Sequence, residues 1–241
     1  MVIEHRITTL NEWLNCCPPK NPQLQWQDDY SAKEFAEKVL ADDFERDIAQ
    51  IAAAAGITGL KINNAYPEHI TCLDNFPGGQ RNHDLACTCR SDTGTVAVCF
   101  EAKAGENFGE TLHNEWKKGD AKPKSKIQDR INAMFQLLWG KNYTPAYNTT
   151  NIGKIYYQLL TGLTGTIRFA HENSIQKCIF IIYQLKTKTV TNSKIQNHRN
   201  AISDFLKQFK LPDPLNVNDN SIYRLGFFDN IETWLGYMKR S

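Results

Sequence analysis

The chain predicts an α/β fold in which a mixed central sheet is flanked by helices, and three features carry that reading. Two strand-like runs, Asp84–Cys89 and Thr95–Lys103, are separated by the turn-forming Arg90-Ser91-Asp92-Thr93-Gly94 and read as a β-hairpin. Downstream, Cys178-Ile179-Phe180-Ile181-Ile182-Tyr183 is a continuous apolar run, as expected of a strand buried on both faces. Around these strands apolar residues recur at helical spacing, as in Phe44, Ile48, Ile51, Ala52 and Ala55.

The 241 residues fit a single domain, 1–241, with an N-terminal lead-in (1–30), a core (42–185) and a C-terminal extension (186–241). Charged residues make up 22% and hydrophobic ones 41%, an ordinary globular balance that excludes a disordered chain. Net charge is only +2, so nucleic acid would have to be met by a local patch. No apolar run approaches the roughly 20 residues needed to cross a bilayer. Met1–Leu14, interrupted by Glu4, His5, Arg6, Asn11 and Glu12, is not read as a signal peptide. Seven cysteines, an odd number, suggest reduced thiols and a cytoplasmic protein. Cys16-Cys17 and Cys72 make no paired zinc pattern.

In chain order, residues 1–30 hold the loop Cys17-Pro18-Pro19-Lys20-Asn21-Pro22, with Trp13 and Trp26 expected to pack it on the body. Ser31-Ala32-Lys33-Glu34 has the capping-box form and should open a helix to Leu40. A second helix, Asp42 to Ala55, stops at Gly56 and turns Glu45, Asp47 and Gln50 outward. Ile57–Ile62 reads as a strand and Tyr66-Pro67-Glu68-His69 as a loop. Gly78-Gly79 reads as a turn before Asp84 in preference to a close backbone approach to phosphate, and His83 as a structural hydrogen-bonder in preference to a second base. After Lys103 comes the densest cationic stretch: Lys117, Lys118, Lys122, Lys124, Lys126 and Arg130, with Trp116 among them. Ser125 is placed to cap a helix to Trp139. A further helix is expected from Ile152 to Ala170, where Gly162 and Gly165 imply close packing or a break. Beyond the apolar strand lie an amphipathic helix (193–209), a last strand (Ser221–Phe228) and a short C-terminal helix or turn closed by Trp234.

Alternation puts Leu85, Cys87, Cys89, Val96, Val98, Phe100 and Ala102 on one apolar face of the hairpin. The other face carries Asp84, Glu101 and Lys103, which converge at one corner if the strands are antiparallel. Two carboxylates and an ammonium suit a hard divalent cation, with Asp84 and Glu101 offering oxygen ligands to Mg²⁺. Lys103 could contact a phosphate oxygen or act on the attacking water. The competing reading is a solvated strand end with a weak Glu101–Lys103 surface pair.

Asp84 followed by Glu101-Ala102-Lys103 resembles the active-site signature of the PD-(D/E)XK nuclease superfamily. Glu101 to Gly109 (EAKAGENFG), with Tyr157-Gln158-Leu159-Leu160 downstream, resembles an uncharacterised, mostly bacterial branch of it. His83 stands where the superfamily name has proline. The resemblance implies a restriction-endonuclease-like αβββαβ core with helical and strand additions at both ends. It also implies a Mg²⁺ site, with Mn²⁺ as an alternative, on Asp84, Glu101 and the backbone carbonyl of Ala102, and Lys103 as the catalytic lysine. A third acid would be Glu68 or, less favoured, Glu45 on the first core helix. Gln158 and Glu106 would support the site, Gln158 through a metal-held water, a phosphate or a purely structural hydrogen bond. Arg81, Lys117, Lys118, Lys122, Lys124 and Lys126 would contact nucleic-acid backbone, unless the lysines are simply a solvated connection.

The expected function is metal-dependent hydrolysis of phosphodiester bonds by a DNA endonuclease of bacterial or phage defence, restriction or repair. DNA is favoured over RNA, no membrane is involved, and a homodimer is left open. Alanine at Asp84, Glu101 or Lys103 is expected to abolish cleavage with the thermal transition nearly intact. The alternatives are a non-catalytic nucleic-acid-binding protein and a protein-interaction module on the same scaffold.

Overall fold

The computed structural model describes residues 1–122, 124–209, 211 and 216–240. Its sheet contains β1 (Val2–Ile3), β2 (Lys61–Thr71), β3 (Arg81–Ser91), β4 (Gly94–Lys103), β5 (Lys177–Leu185), β6 (Ser221–Phe228) and β7 (Ile231–Arg240). These form one seven-stranded sheet in the order β1-β2-β3-β4-β5-β7-β6. The β2-β3-β4 meander and the β6-β7 pair are antiparallel, whereas β1-β2, β4-β5 and β5-β7 are parallel, so the sheet is mixed. The helices are α1 (Leu10–Cys16), α2 (Pro22–Gln25), α3 (Ser31–Leu40), α4 (Phe44–Ala54), α5 (Leu112–Ala121), α6 (Ile127–Trp139), α7 (Tyr157–Glu172) and α8 (Asn192–Leu206). Among the described residues no helix is long and apolar enough to cross a membrane.

The sheet separates two cores. On one side α1, α3 and α4 pack on Leu85, Cys87, Cys89, Val96, Val98 and Phe100, the face predicted to be apolar. Phe35, Phe44, Phe100 and Tyr183 interlock there, with the Phe35 and Tyr183 centroids 5.1 Å apart. Each such fully buried side chain contributes about 1.5–3 kcal/mol. The opposite face is covered as well. Ala86, Ala97, Cys99, Phe180 and Ile182 meet α6, α7 and part of α8. Small side chains on β3 and β4 let α7 lie close. A Cβ at Gly162 would overlap the Phe180 ring, and one at Gly165 would sit 2.7 Å from His83 Nε2 and from Arg81 Cγ. Of the two expectations for these glycines, close packing holds, since α7 runs unbroken through both.

Several predicted boundaries shift, each for a physical reason. Ser31 is not a cap: Tyr30 holds the N-cap position without a side-chain bond, and Glu34 turns back to accept the Asp29 N–H at 2.9 Å. A capping box does occur, at Thr9 and Glu12. Ser125 lies one residue before the N-cap of α6, and its Oγ accepts the Ile127 N–H at 3.3 Å. The strand read at 57–62 begins at Lys61 and continues through the supposed loop Tyr66–His69 to Thr71. Pro67 is tolerated because β1 pairs only with Asn64 and Ala65, so this part of β2 is an edge that needs no further donor. The helix expected from Ile152 starts at Tyr157, and the one expected over 193–209 ends at Leu206 before a 3₁₀ turn. Trp234 closes no helix. It lies in β7, whose Gly236 lets Ile51 approach to 3.2 Å of a would-be Cβ.

Candidate active site

The pairings Leu85–Phe100 and Ala86–Cys99 fix the β3–β4 register, and one step further it brings Asp84 level with Glu101. On the other side, Pro67–Leu85 and His69–His83 bracket Glu68 and Asp84. Glu68, Asp84 and Glu101 therefore stand in a row across three adjacent strands. Glu68 has a left-handed backbone, φ 49°, and no ladder partner of its own. All three line a cavity of about 490 Å³ together with Ala102, Lys103 and Arg81. The first turn of α7 (Tyr157, Gln158 and Thr161) and residues of the N-terminal segment complete its lining.

The hairpin ladder ends at this corner, and side chains take over its hydrogen bonds. Asp84 Oδ2 accepts the Ala102 N–H at 2.6 Å. Burial, reinforced by Glu101 and Glu68, pushes the Asp84 carboxyl well above the usual range. Burial likewise raises Glu68 to about 7, against a hydrogen bond from the Asn82 amide at 2.6 Å. Glu101 is the exception. Burial opposes its charge, but Arg81 and Lys103 outweigh that cost and hold its carboxyl below the usual range. Lys103 Nζ lies 2.7 Å from Glu101 Oε1, and Arg81 pairs with Oε2. Glu101 and Lys103 are only 2% and 6% exposed, so this is no solvated surface pair.

Arg81 thus departs from its expected role. It is buried and committed to Glu101, a counter-ion inside the site and not a free phosphate contact. Arg130, counted in the basic run, is also internal. Its Nε and Nη2 grip Asp74 at 2.7 and 3.0 Å and its Nη2 reaches the Phe76 carbonyl at 3.3 Å, fixing the loop before β3. Trp116 is a core residue packed 4.8 Å from Tyr143. The five lysines are exposed. Lys118 pairs with Glu115, Lys126 pairs with Asp129 and lies 5.8 Å from the Phe76 ring, and Lys117, Lys122 and Lys124 make no ion pair among the described residues. Glu45 lies elsewhere, accepting the Ile62 N–H at 2.7 Å beside the N-terminal amine.

Glu106 lines the cavity and accepts the N–H groups of Ser31 and Ala104, both at 2.9 Å, so it ties the N-terminal segment to the end of β4. Behind it lies a buried node that sequence reading missed. Gln184 Nε2 donates to the carbonyls of Lys103 and Ala104 at 3.1 and 3.0 Å. Its Oε1 faces His198 Nδ1 at 2.5 Å, and His198 Nε2 lies 2.8 Å from the Glu106 carbonyl. The only local signal was a glutamine closing an apolar strand.

A divalent cation can be tested against this donor set. Among the described residues no group of three His, Cys, Asp or Glu side chains is arranged to hold a metal ion. Mg²⁺, however, commonly takes only one or two carboxylates and completes its shell with water and phosphate. Adjacent Asp84 and Glu101 supply that number of carboxylates, with both Glu101 oxygens paired to Arg81 and Lys103 and with burial raising the Asp84 and Glu68 carboxyls. Residues 6–241 match the model of a family described as Domain of unknown function (DUF6946). No curated protein and no solved structure matches the chain.

Proposed function

We propose that this chain, which belongs to the DUF6946 family, is a metal-dependent nuclease that hydrolyses phosphodiester bonds, most simply in DNA. The observation that carries the reading is the level row of Glu68, Asp84 and Glu101 with Lys103 beside them in one cavity. The order of α4, the β2-β3-β4 meander, helices and the parallel β5 agrees with a restriction-endonuclease-like αβββαβ core. Bacterial or phage defence, restriction or repair are the settings such an activity fits, and the unpaired thiols agree with a cytoplasmic site of action.

In this mechanism Asp84, Glu101 and the Ala102 carbonyl would hold Mg²⁺ or Mn²⁺, with Glu68 as a further acid. The ion, when bound, polarises the phosphodiester and offsets charge on the attacking and leaving oxygens. Burial raises both Asp84 and Glu68 and so favours their protonated forms, and a bound cation would favour their charged forms instead. Arg81 keeps Glu101 ionised and fixed. Lys103 presents its ammonium to the phosphate and orients the attacking water, while Gln184 and Glu106 hold the strand end that carries it. Gln158 stands in the cavity wall as a hydrogen-bonding partner for water or phosphate.

One observation favours a second reading, a nucleic-acid-binding protein without catalysis: both Glu101 oxygens are already engaged, by Arg81 and Lys103. Cleavage of plasmid, linear duplex, single-stranded DNA and RNA with Mg²⁺ or Mn²⁺, against EDTA and Lys103→Ala controls, separates the two. The nuclease cuts at least one substrate with metal and loses that cutting in Lys103→Ala. Mg²⁺ also raises its melting temperature, and Asp84→Ala removes the rise. Salt-dependent binding with neither cutting nor a metal response selects the second reading.

A further inference from the structure

Resting on the nuclease reading, we infer that the N-terminal segment forms a nucleobase subsite which restricts this cavity to unpaired strands, with Tyr30 as the stacking platform. One wall of the cavity is not built by the sheet or by α7 but by residues 19–32. That wall is fixed. Ser31 N–H is held by Glu106, and Asp29 accepts the Lys188 N–H at 3.0 Å.

What the wall turns to the cavity mouth is unusual for a surface. Tyr30 is 43% exposed and Leu24 is 62% exposed, two of the few large apolar side chains so open among the described residues, and both line this cavity. Lys20 lines it too, exposed and without an ion pair among the described residues. An aromatic face, an aliphatic neighbour and a free ammonium beside buried acids match a nucleotide, whose base stacks while its phosphate meets a cation. Surface lysines alone would not distinguish a strand from a duplex; the exposed ring does, because bases inside a duplex have no free face to stack.

The depth of the acids points the same way. Glu101 and Lys103 lie at the floor, 2% and 6% exposed, so a scissile phosphate must enter the cavity to reach them. About 490 Å³ is the size of a small-ligand pocket (roughly 300–1,000 Å³). It accepts one or two nucleotides of a single strand, a frayed end or an extruded base, while a paired duplex is stopped at the wall.

Fluorescence anisotropy in EDTA measures binding without cleavage, using a short labelled single strand and the blunt duplex of the same sequence. The single strand is expected to bind about tenfold tighter than the duplex. Tyr30→Ala should weaken the single strand about tenfold, the order of one lost base stack, with Tyr30→Phe close to the parent. Lys20→Ala should lower the salt slope by about one phosphate contact. Tyr30 is an exposed cap position, and an unchanged melting temperature verifies that the variant folds. Equal binding of duplex, or no effect of Tyr30→Ala, overturns the subsite. If duplex plasmid is also cut internally and equally fast by Tyr30→Ala, the nuclease reading stands and this inference falls. Tyr30-dependent single-strand binding with no metal-dependent cutting keeps the subsite and removes the nuclease.

Discussion

Glu101 carries its charge between two buried cations, which sets it apart from the other acids of the cavity. Without that charge Arg81 and Lys103 are left buried and uncompensated, so Glu101→Gln should lower folding stability by about 3–5 kcal/mol. The buried pairs with Arg81 and Lys103 argue against a nearly intact thermal transition in a Glu101 variant, contrary to the sequence-based expectation. Asp84→Asn should behave differently. Its amide oxygen can still accept the Ala102 N–H, and burial already disfavours the native charge, so denaturant midpoints should place it within about 1 kcal/mol of the parent. Equal losses in the two variants would contradict this division of roles. Glu68 has a pH signature. Its carboxyl rises from 4.5 to about 7 on folding, so the folded chain holds a proton that the unfolded chain releases between those values. Its contribution is present in full below the unfolded value and is lost as pH rises through about 7. Melting temperatures of Glu68→Gln and parent should converge at low pH, the variant gaining relative to the parent as pH rises through this window.

At the scale of elements, α7 acts on the site through its glycines. Gly165→Ala would drive a methyl into Arg81 and His83, whereas Gly162→Ala would drive one into Phe180, well inside the core. Both should destabilise by about 1–3 kcal/mol through overpacking. Only Gly165→Ala should also depress metal-dependent cleavage per folded molecule, because only it displaces the partner of Glu101. Loss of activity in both alike would mean that α7 supports the site by stability alone. The hairpin and its acids were legible because a two-residue period with one apolar face fixes strand direction and register together, which placed Asp84, Glu101 and Lys103 correctly. Glu68 was favoured over Glu45 only as the nearer acid before the hairpin; what brings it to the cavity is the pairing of β2 with β3. Arg81, Arg130 and the Gln184–His198 node were not legible as they stand. A charge buried against a distant partner leaves no local pattern, and Ser31-x-x-Glu34 shows that a local pattern can be present with its side chains used otherwise.

For the molecule as a whole, a net charge of +2 means that the nucleic-acid binding proposed above would draw on local patches such as the exposed lysines of the α5–α6 connection. That connection adjoins α6, whose Arg130 grips the loop before β3. Lys122→Ala with Lys124→Ala should weaken binding to all sequences alike and reduce the slope of log K against log salt by about two. An unchanged slope would mark this stretch as solvated connection only. The edge of β2 has a further consequence, for the behaviour of many copies in solution. Beyond Ala65 its outer side has no strand partner among the described residues, and Ile70 is 66% exposed there. Such an edge can template a neighbouring chain. Pro67, which offers no N–H, and the left-handed backbone at Glu68 interrupt the run of donors that a docking strand would need. The left-handed backbone at Glu68, beside the cavity, thus also makes this edge a poor template for a docking strand.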